Sequence, residues 1–301
     1  MNWYKEHKTE WKLIIDTVSE QLKRNPIMVE KDTIQSLFLF ELSKSDLPFV
    51  FKGGTSLSKG FDLIDRFSED IDLSMSREIT TKEKKASKQI IISIATKLGL
   101  CLKNPNDVLS RHDYNKYLFE YESFYSDTKL ELMIETSYYQ TAFPVINHEI
   151  SCLIGKFCDK NNIKLPIGFE ALSFSMNIQS LERTLIDKVF AVCDYRIQNM
   201  MHRNSRHLYD IAKIVPMIHF DNDLKELASK VRIIRNKSKN NPSADSKYNI
   251  KEMLIEIIES KFYEADYKNI TKKLLYEPFE YIEAISNGIS KIIETNIFDD
   301  E

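Results

Sequence analysis

One stretch constrains this chain more than any other: Phe51-Lys52-Gly53-Gly54-Thr55-Ser56-Leu57-Ser58-Lys59, followed closely by Ser68-Glu69-Asp70-Ile71-Asp72-Leu73. Pro48-Phe49-Val50-Phe51 is apolar and β-prone and runs straight into Gly53-Gly54, the pattern of a strand ending in a turn. Thr55 to Leu63 then reads as a short helix. Glycines let a backbone approach a ligand closely, and a helix opening there turns free N–H groups outward, which suits phosphate oxygens. Ser56 adds a hydroxyl for a terminal phosphate. Residues 68–76 alternate, with Ile71, Leu73 and Met75 on one side and Asp70, Asp72 and Ser74 on the other. Two carboxylates therefore project from one face of a strand. Such a pair repels unless a cation lies between them, and hard oxygen ligands at this spacing suit Mg²⁺, which keeps coordination positions for substrate phosphates. A phosphate cradle and a metal pair so close together argue for one functional site rather than a solvated acidic face.

Two-metal chemistry calls for a further carboxylate. Lys129-Leu130-Glu131-Leu132-Met133-Ile134-Glu135 offers two on one face of a later strand. Glu131, flanked by Leu130 and Leu132, is the first choice; Glu135 is the alternative.

Around this region the chain is mixed, and the expected fold class is α+β. Helical spacing covers residues 8–45, interrupted at Pro26, and residues 82–98. Two β-rich stretches, 116–124 and 128–137, flank a hairpin turn at Tyr125-Ser126-Asp127. From Ser180 onward the pattern is helical, over 181–197, 206–214, 224–231, 251–265, 270–275 and 279–294. The expected division is a core with amino-terminal helices over 1–160 and a mainly helical domain over 161–301.

The charge balance of 42 Lys+Arg against 45 Asp+Glu, net −3, excludes a polycation that coats nucleic acid by charge alone. Arg232, Arg235, Lys237 and Lys239 form one local basic interval, read as an RNA guide or a solvated loop. No apolar run approaches the ~18 residues of a membrane span, and no basic-then-apolar leader opens the chain. A cytoplasmic protein is expected. Cys101, Cys152, Cys158 and Cys193 lack zinc-like spacing and read as buried thiols. Tyr138-Tyr139 and the pair Tyr114/Tyr117 stack on bases or, as is commoner in β-rich segments, pack the core. Lys188 lies among apolar helix neighbours, placed to snorkel, to pair with Asp187 or Asp210, or to reach a phosphate. Asp210 pairs with Arg206 one turn away or joins a site.

Lys52-Gly-Gly-Thr-Ser-Leu-Ser-Lys59 together with Arg66-Phe-Ser-Glu-Asp-Ile-Asp-Leu73 resembles the AbiEii/AbiGii nucleotidyltransferase toxins of bacterial type IV toxin–antitoxin and abortive-infection systems. The likeness continues through Val29-Glu30-Lys31-Asp32, Leu181-Glu-Arg-Thr-Leu-Ile-Asp-Lys188 and Arg206-His-Leu-Tyr-Asp-Ile211, in the family's order. It implies a polymerase-β-like nucleotidyltransferase core followed by a helical domain. Gly53, Gly54 and Ser56 would hold the triphosphate of an NTP donor, with Ser68 and Lys59 in the same nucleotide-binding set. Asp70 and Asp72, with Glu131, would hold two Mg²⁺ ions, and Lys188 and Asp210 would join them in catalysis. The implied acceptor is RNA, the tRNA 3′ end in some relatives, and the implied partner is a separately encoded antitoxin.

Overall fold

The computed structural model describes residues 6–110, 113–164 and 169–299; Met1–Lys5, where the leader reading falls, lie outside them. The chain divides into two compact units. One comprises Met1–Asp62 with Ser68–Gln179, the other Leu63–Phe67 with Ser180–Glu301.

The first unit opens with helices α1 (Lys8–Leu22) and α2 (Pro26–Ser43). Pro26 does more than interrupt α1. Its missing N–H is harmless at the first helical position, and Asn25 caps α2 by accepting from the Ile27 N–H at 2.9 Å. Strand β1 (Phe49–Lys52) then passes directly into helix α3 (Gly53–Lys59), and β2 (Asp70–Met75) follows. Helix α4 (Thr81–Lys97) starts on a Thr80/Glu83 capping box. Next come β3 (Cys101–Leu102), α5 (Pro105–Ser110), β4 (Tyr114–Tyr121), β5 (Leu130–Ser137), β6 (Val145–Ser151), α6 (Leu153–Lys160) and β7 (Ser173–Gln179).

The strands form one mixed sheet in the order β3-β4-β5-β2-β1-β7-β6. β1 pairs antiparallel with β2 and parallel with β7, and β2 pairs parallel with β5. Alternation sorts the two faces. Phe49, Phe51, Ile71, Leu73, Leu132 and Ile134 share a core with Trp11, Ile15, Ile34, Phe38 and Leu39 of α1 and α2. Asp70, Asp72 and Ser74 therefore stand on the opposite face. Because β7 completes this sheet, the first unit runs to Gln179, beyond the boundary after residue 160 that the sequence suggested.

The second unit is helical: α7 (Leu181–Ile197), α8 (Arg206–Ile214), α9 (Asn222–Arg235) and α10 (Ile250–Glu259) lead to two segments that pass through π turns, Tyr267–Thr271 and Ile285–Ile289. Of the four cysteines, Cys152, Cys158 and Cys193 are buried, but Cys101 is exposed at the end strand β3. Among the described residues no helix is long and apolar enough to cross a membrane.

Candidate active site

In the first unit the register across the sheet aligns Lys52 of β1, Asp72 of β2, Glu135 of β5 and Lys116 of β4 in one transverse row. Neighbouring strands lie ~4.8 Å apart, so two carboxylates stand side by side with a lysine on either flank. Like charges directly opposite each other are destabilising and mark a place where a cation belongs. Lys116 Nζ is 3.9 Å from Glu135. The Tyr114 hydroxyl lies beside Glu135, with Asp72 and Tyr139 next to it, and burial together with these neighbours pushes its pKa up.

Asp70 is opposite Met133, one step along β2. Glu131, two residues further along β5, lies outside this row: it is exposed, and Lys103 donates to it at 2.7 Å. The structure thus puts Glu135 beside Asp72 where the sequence reading favoured Glu131. Period-2 alternation places both glutamates on one face; only the β2–β5 register distinguishes them.

Gly53 adopts φ +80°, the left-handed region, and a Cβ there would lie 2.0 Å from Asp72 Oδ2. Glycine is required at this position on both counts. It brings the backbone at the start of α3 directly against the Asp72 carboxylate. The chain entering β2 is clamped from two sides. Thr55 on α3 donates to the Asp70 carbonyl and contacts the Ser68 hydroxyl at 2.8 Å. Gln35, buried on α2, donates to the carbonyls of Glu69 at 3.0 Å and Ser68 at 3.3 Å. Neither residue stood out in the sequence, because a helical Gln and a Thr after glycines have no periodic signature.

Two expected phosphate ligands turn inward. Ser56 is fully buried and its hydroxyl donates to the Gly53 carbonyl at 2.9 Å. Lys59, with a side chain 1% exposed, bonds the Asp32 carboxylate and carbonyl at 2.5 and 2.8 Å, while the other Asp32 oxygen accepts from the Leu153 N–H. Lys59 thus ties α3 to α2 and α6. Lys31 of α2 is the cation that faces Asp70, Glu69 and Glu131; burial lowers its pKa against their pull.

Among the described residues no three carboxylate, imidazole or thiol groups form a ready metal cage. The donor set nevertheless fits a hard dication. Mg²⁺ takes only one or two carboxylates from its protein and completes an octahedron with water and phosphate oxygens, and Asp70 and Asp72 supply that pair on one face.

The second unit holds its own charge cluster. Asp210 is fully buried, and Arg66 grips both its oxygens, Nε and Nη2 each donating at 2.7 Å. Lys188 Nζ donates to Oδ2 at 2.6 Å. Burial alone would raise the Asp210 pKa, but the two cations outweigh it and hold the carboxyl well below the usual range. Burial lowers the Lys188 pKa while Asp210 opposes it. Lys188 thus pairs with Asp210, one of the alternatives its helix position left open, and the bidentate partner of Asp210 is Arg66 rather than Arg206. The basic interval is not a free loop. Arg235 ends α9 and donates to Asp187 at 3.0 Å and Asp194 at 2.7 Å. Arg232 caps the carbonyls of Ala244, Asp245 and Tyr248.

The chain matches the family described as nucleotidyl transferase AbiEii toxin, type IV toxin–antitoxin system, over residues 37–287. It belongs to that family. The AbiEii match takes in Gly53, Gly54, Asp70, Asp72, both glutamates, Lys188 and Asp210, and makes this protein a nucleotidyltransferase toxin with an NTP substrate and an antitoxin partner. The fold is similar to that of MenT4, a nucleotidyltransferase toxin from Mycobacterium tuberculosis H37Rv, at TM-score 0.54 and 15% identity over 95% of this chain and 90% of that one. Two structures from Helicobacter pylori are also similar. A candidate nucleotidyltransferase gives TM-score 0.49 and 18% identity over 88% of this chain and 92% of its own. JHP933 gives 0.41 and 17% over 81% and 95%. No curated protein matches the chain.

Proposed function

We propose that this AbiEii toxin transfers a nucleotide from an NTP to the 3′-hydroxyl of an RNA, with the tRNA acceptor end as target, and so blocks translation. The observation that carries the reading is the contact of Gly53 with Asp72: a backbone shaped for phosphate and a carboxylate pair shaped for a dication share one surface. The acceptor oxygen would attack the α-phosphorus, the α–β bridging P–O bond would break, and pyrophosphate would leave. Asp70 and Asp72 would hold two Mg²⁺ ions, which when bound lower the pKa of the attacking hydroxyl and offset charge on the phosphate oxygens. Glu135, beside Asp72, is the better third carboxylate and the group placed to take the hydroxyl proton; Glu131 is bound to Lys103. Gly53, Gly54 and Ser68 line the donor side, while Ser56 and Lys59 hold that backbone in shape from beneath.

The test incubates the purified protein with Mg²⁺, total tRNA and each labelled NTP in turn, beside Asp72→Ala. Label on tRNA 3′ ends with wild type only is the expected result and names the donor. Label on protein or a small molecule instead would move the acceptor class, and nucleotide binding without any transfer would sink the reading.

A further inference from the structure

The four tyrosines near the acidic row divide cleanly. Tyr117 is fully buried, and Tyr138 is buried with its hydroxyl bonded to Ser87 on α4 at 2.7 Å; both belong to the core face. Tyr114 and Tyr139 stand on the other face. Tyr114, paired in register with Ser137, brings its hydroxyl to Glu135, and the Tyr139 hydroxyl is its neighbour. Tyr139 is 45% exposed, a large aromatic ring open to solvent just past the end of β5. The segment that presents it is anchored. Ser74, on the same face as Asp72, donates to the carbonyls of Gln140 at 2.7 Å and Ser137 at 3.1 Å, and the Ala142 N–H bonds the Met75 carbonyl at 2.8 Å. Two buried polar atoms of this segment, Ser137 Oγ and Gln140 Nε2, have no hydrogen-bond partner among the described residues. Buried polar atoms are ordinarily satisfied, and each exception calls for an explanation such as a ligand or water that completes the site.

The position relative to the row decides which substrate the rings serve. Gly53 and Gly54 continue β1, on one side of Asp72; Glu135 and Tyr139 lie on the β5 side, with β5 roughly 10 Å from β1, and Tyr114 on β4, one strand further at roughly 14 Å by ordinary strand spacing. In-line displacement puts the nucleophile opposite the leaving pyrophosphate. With donor phosphates on the β1 side, the attacking hydroxyl enters from the side of the tyrosines. We propose that Tyr139, flanked by Tyr114, is the platform on which the 3′-terminal base of the RNA acceptor stacks, so that its ribose hydroxyl is delivered to Glu135. This inference rests on the RNA-directed reading above and adds the subsite that recognises the acceptor. Stacking tolerates any base, because each presents a π-face. The subsite therefore selects a nucleoside end and leaves the choice of RNA to other contacts.

The experiment uses the full chain with Mg²⁺, total tRNA and the labelled NTP that wild type transfers. Tyr139→Ala is expected to raise the KM for tRNA about 5- to 150-fold, the range of one lost base stack, with the KM for the NTP unchanged. Tyr139→Trp is expected to stay within about twofold of wild type, since the larger ring preserves stacking. In a second measurement, a short oligoribonucleotide ending in 2-aminopurine should lose fluorescence on binding wild type and keep it with Tyr139→Ala. An unchanged tRNA KM in Tyr139→Ala overturns the assignment, as does a rise confined to the NTP KM, which would give the ring to the donor. Wild type that labels a protein or small acceptor and never RNA refutes the RNA-directed reading itself, and that result is visible before any tyrosine is changed.

Discussion

Gly53→Ala perturbs the contact on which the site depends. At φ +80° an alanine occupies the left-handed region, at a cost of about 1–2 kcal/mol. Its methyl would also fall 2.0 Å from Asp72 Oδ2 and 2.9 Å from Asp72 Cβ, so the Asp72 side chain must leave its rotamer, at about 0.5–1.5 kcal/mol. The expected loss of stability is about 2–3 kcal/mol, read from urea unfolding midpoints. Transfer by the molecules that do fold should also drop, by about a hundredfold, because a displacement of one ångström at a reacting site costs that much. The clash needs the Asp72 side chain, so the two residues should couple. In an Asp72→Gly background, which removes the Cβ as well as the carboxylate, Gly53→Ala should cost only the backbone share, leaving an interaction energy of about 1 kcal/mol in the double-mutant cycle. Additive behaviour, with Gly53→Ala equally costly in both backgrounds, would refute the claim that the carboxylate lies against this glycine.

Four further outcomes follow from the same geometry. Glu135→Gln should reduce labelled transfer by about 10²-fold or more, whereas Glu131→Gln should stay within a few-fold of wild type; equal losses would remove Glu135 from its assigned place. Asp32→Ala leaves the buried Lys59 ammonium without its carboxylate and should cost about 3–5 kcal/mol in urea unfolding. Asp210→Ala strands two buried cations and should destabilise by a similar ~3–5 kcal/mol, relieved in part when Arg66→Met is added. His207 is held neutral in the folded state, its pKa pushed well below 6.5 by burial and by Lys188 and Arg206. The unfolded chain takes up a proton first, so this contribution to stability is complete above pH ~6.5 and is lost as pH falls, at about 1.4 kcal/mol per unit. His207→Gln should flatten the stability profile between pH ~6.5 and ~5 relative to wild type.

The centre of the sheet was readable because its residues obey a strong local rule. Asp70, Asp72 and Ser74 alternate with Ile71, Leu73 and Met75, and no helix tolerates that period. Gly53 announced itself as a backbone specialist before any carboxylate was seen beside it. What escaped notice depended on partners distant in the chain. Strands β6 and β7 carry Asn147, His148, Ser175 and Asn177 in place of clean apolar alternation, so the pairing of β6 with β7, and of β7 with β1, is a tertiary fact. Arg232 and Arg235 look like surface charge until Asp187 and Asp194, two turns apart on α7, are set opposite Arg235. Arg66 was legible as part of a motif, yet its role as the grip on Asp210 arises only when Leu63–Phe67 joins the helical unit. Lys59 looked like a phosphate ligand because lysines near glycines often are; its burial against Asp32 decides otherwise.

The parallel pairings at the middle of the sheet also set an order in time. Phe51 meets Ile178, and Asp72 meets Glu135, so the strands that flank the β1–β2 pair come from segments made long after it. Such distant pairings are slow to form, since the chain must close large loops before contacts reward it. During synthesis the β1–β2 hairpin emerges early, with Asp72 already against Gly53, but it has no neighbour on either side until β5 and then β7 leave the ribosome. A toxin built this way carries its reactive surface unassembled through most of its own translation, and becomes whole only after Gln179 has been added.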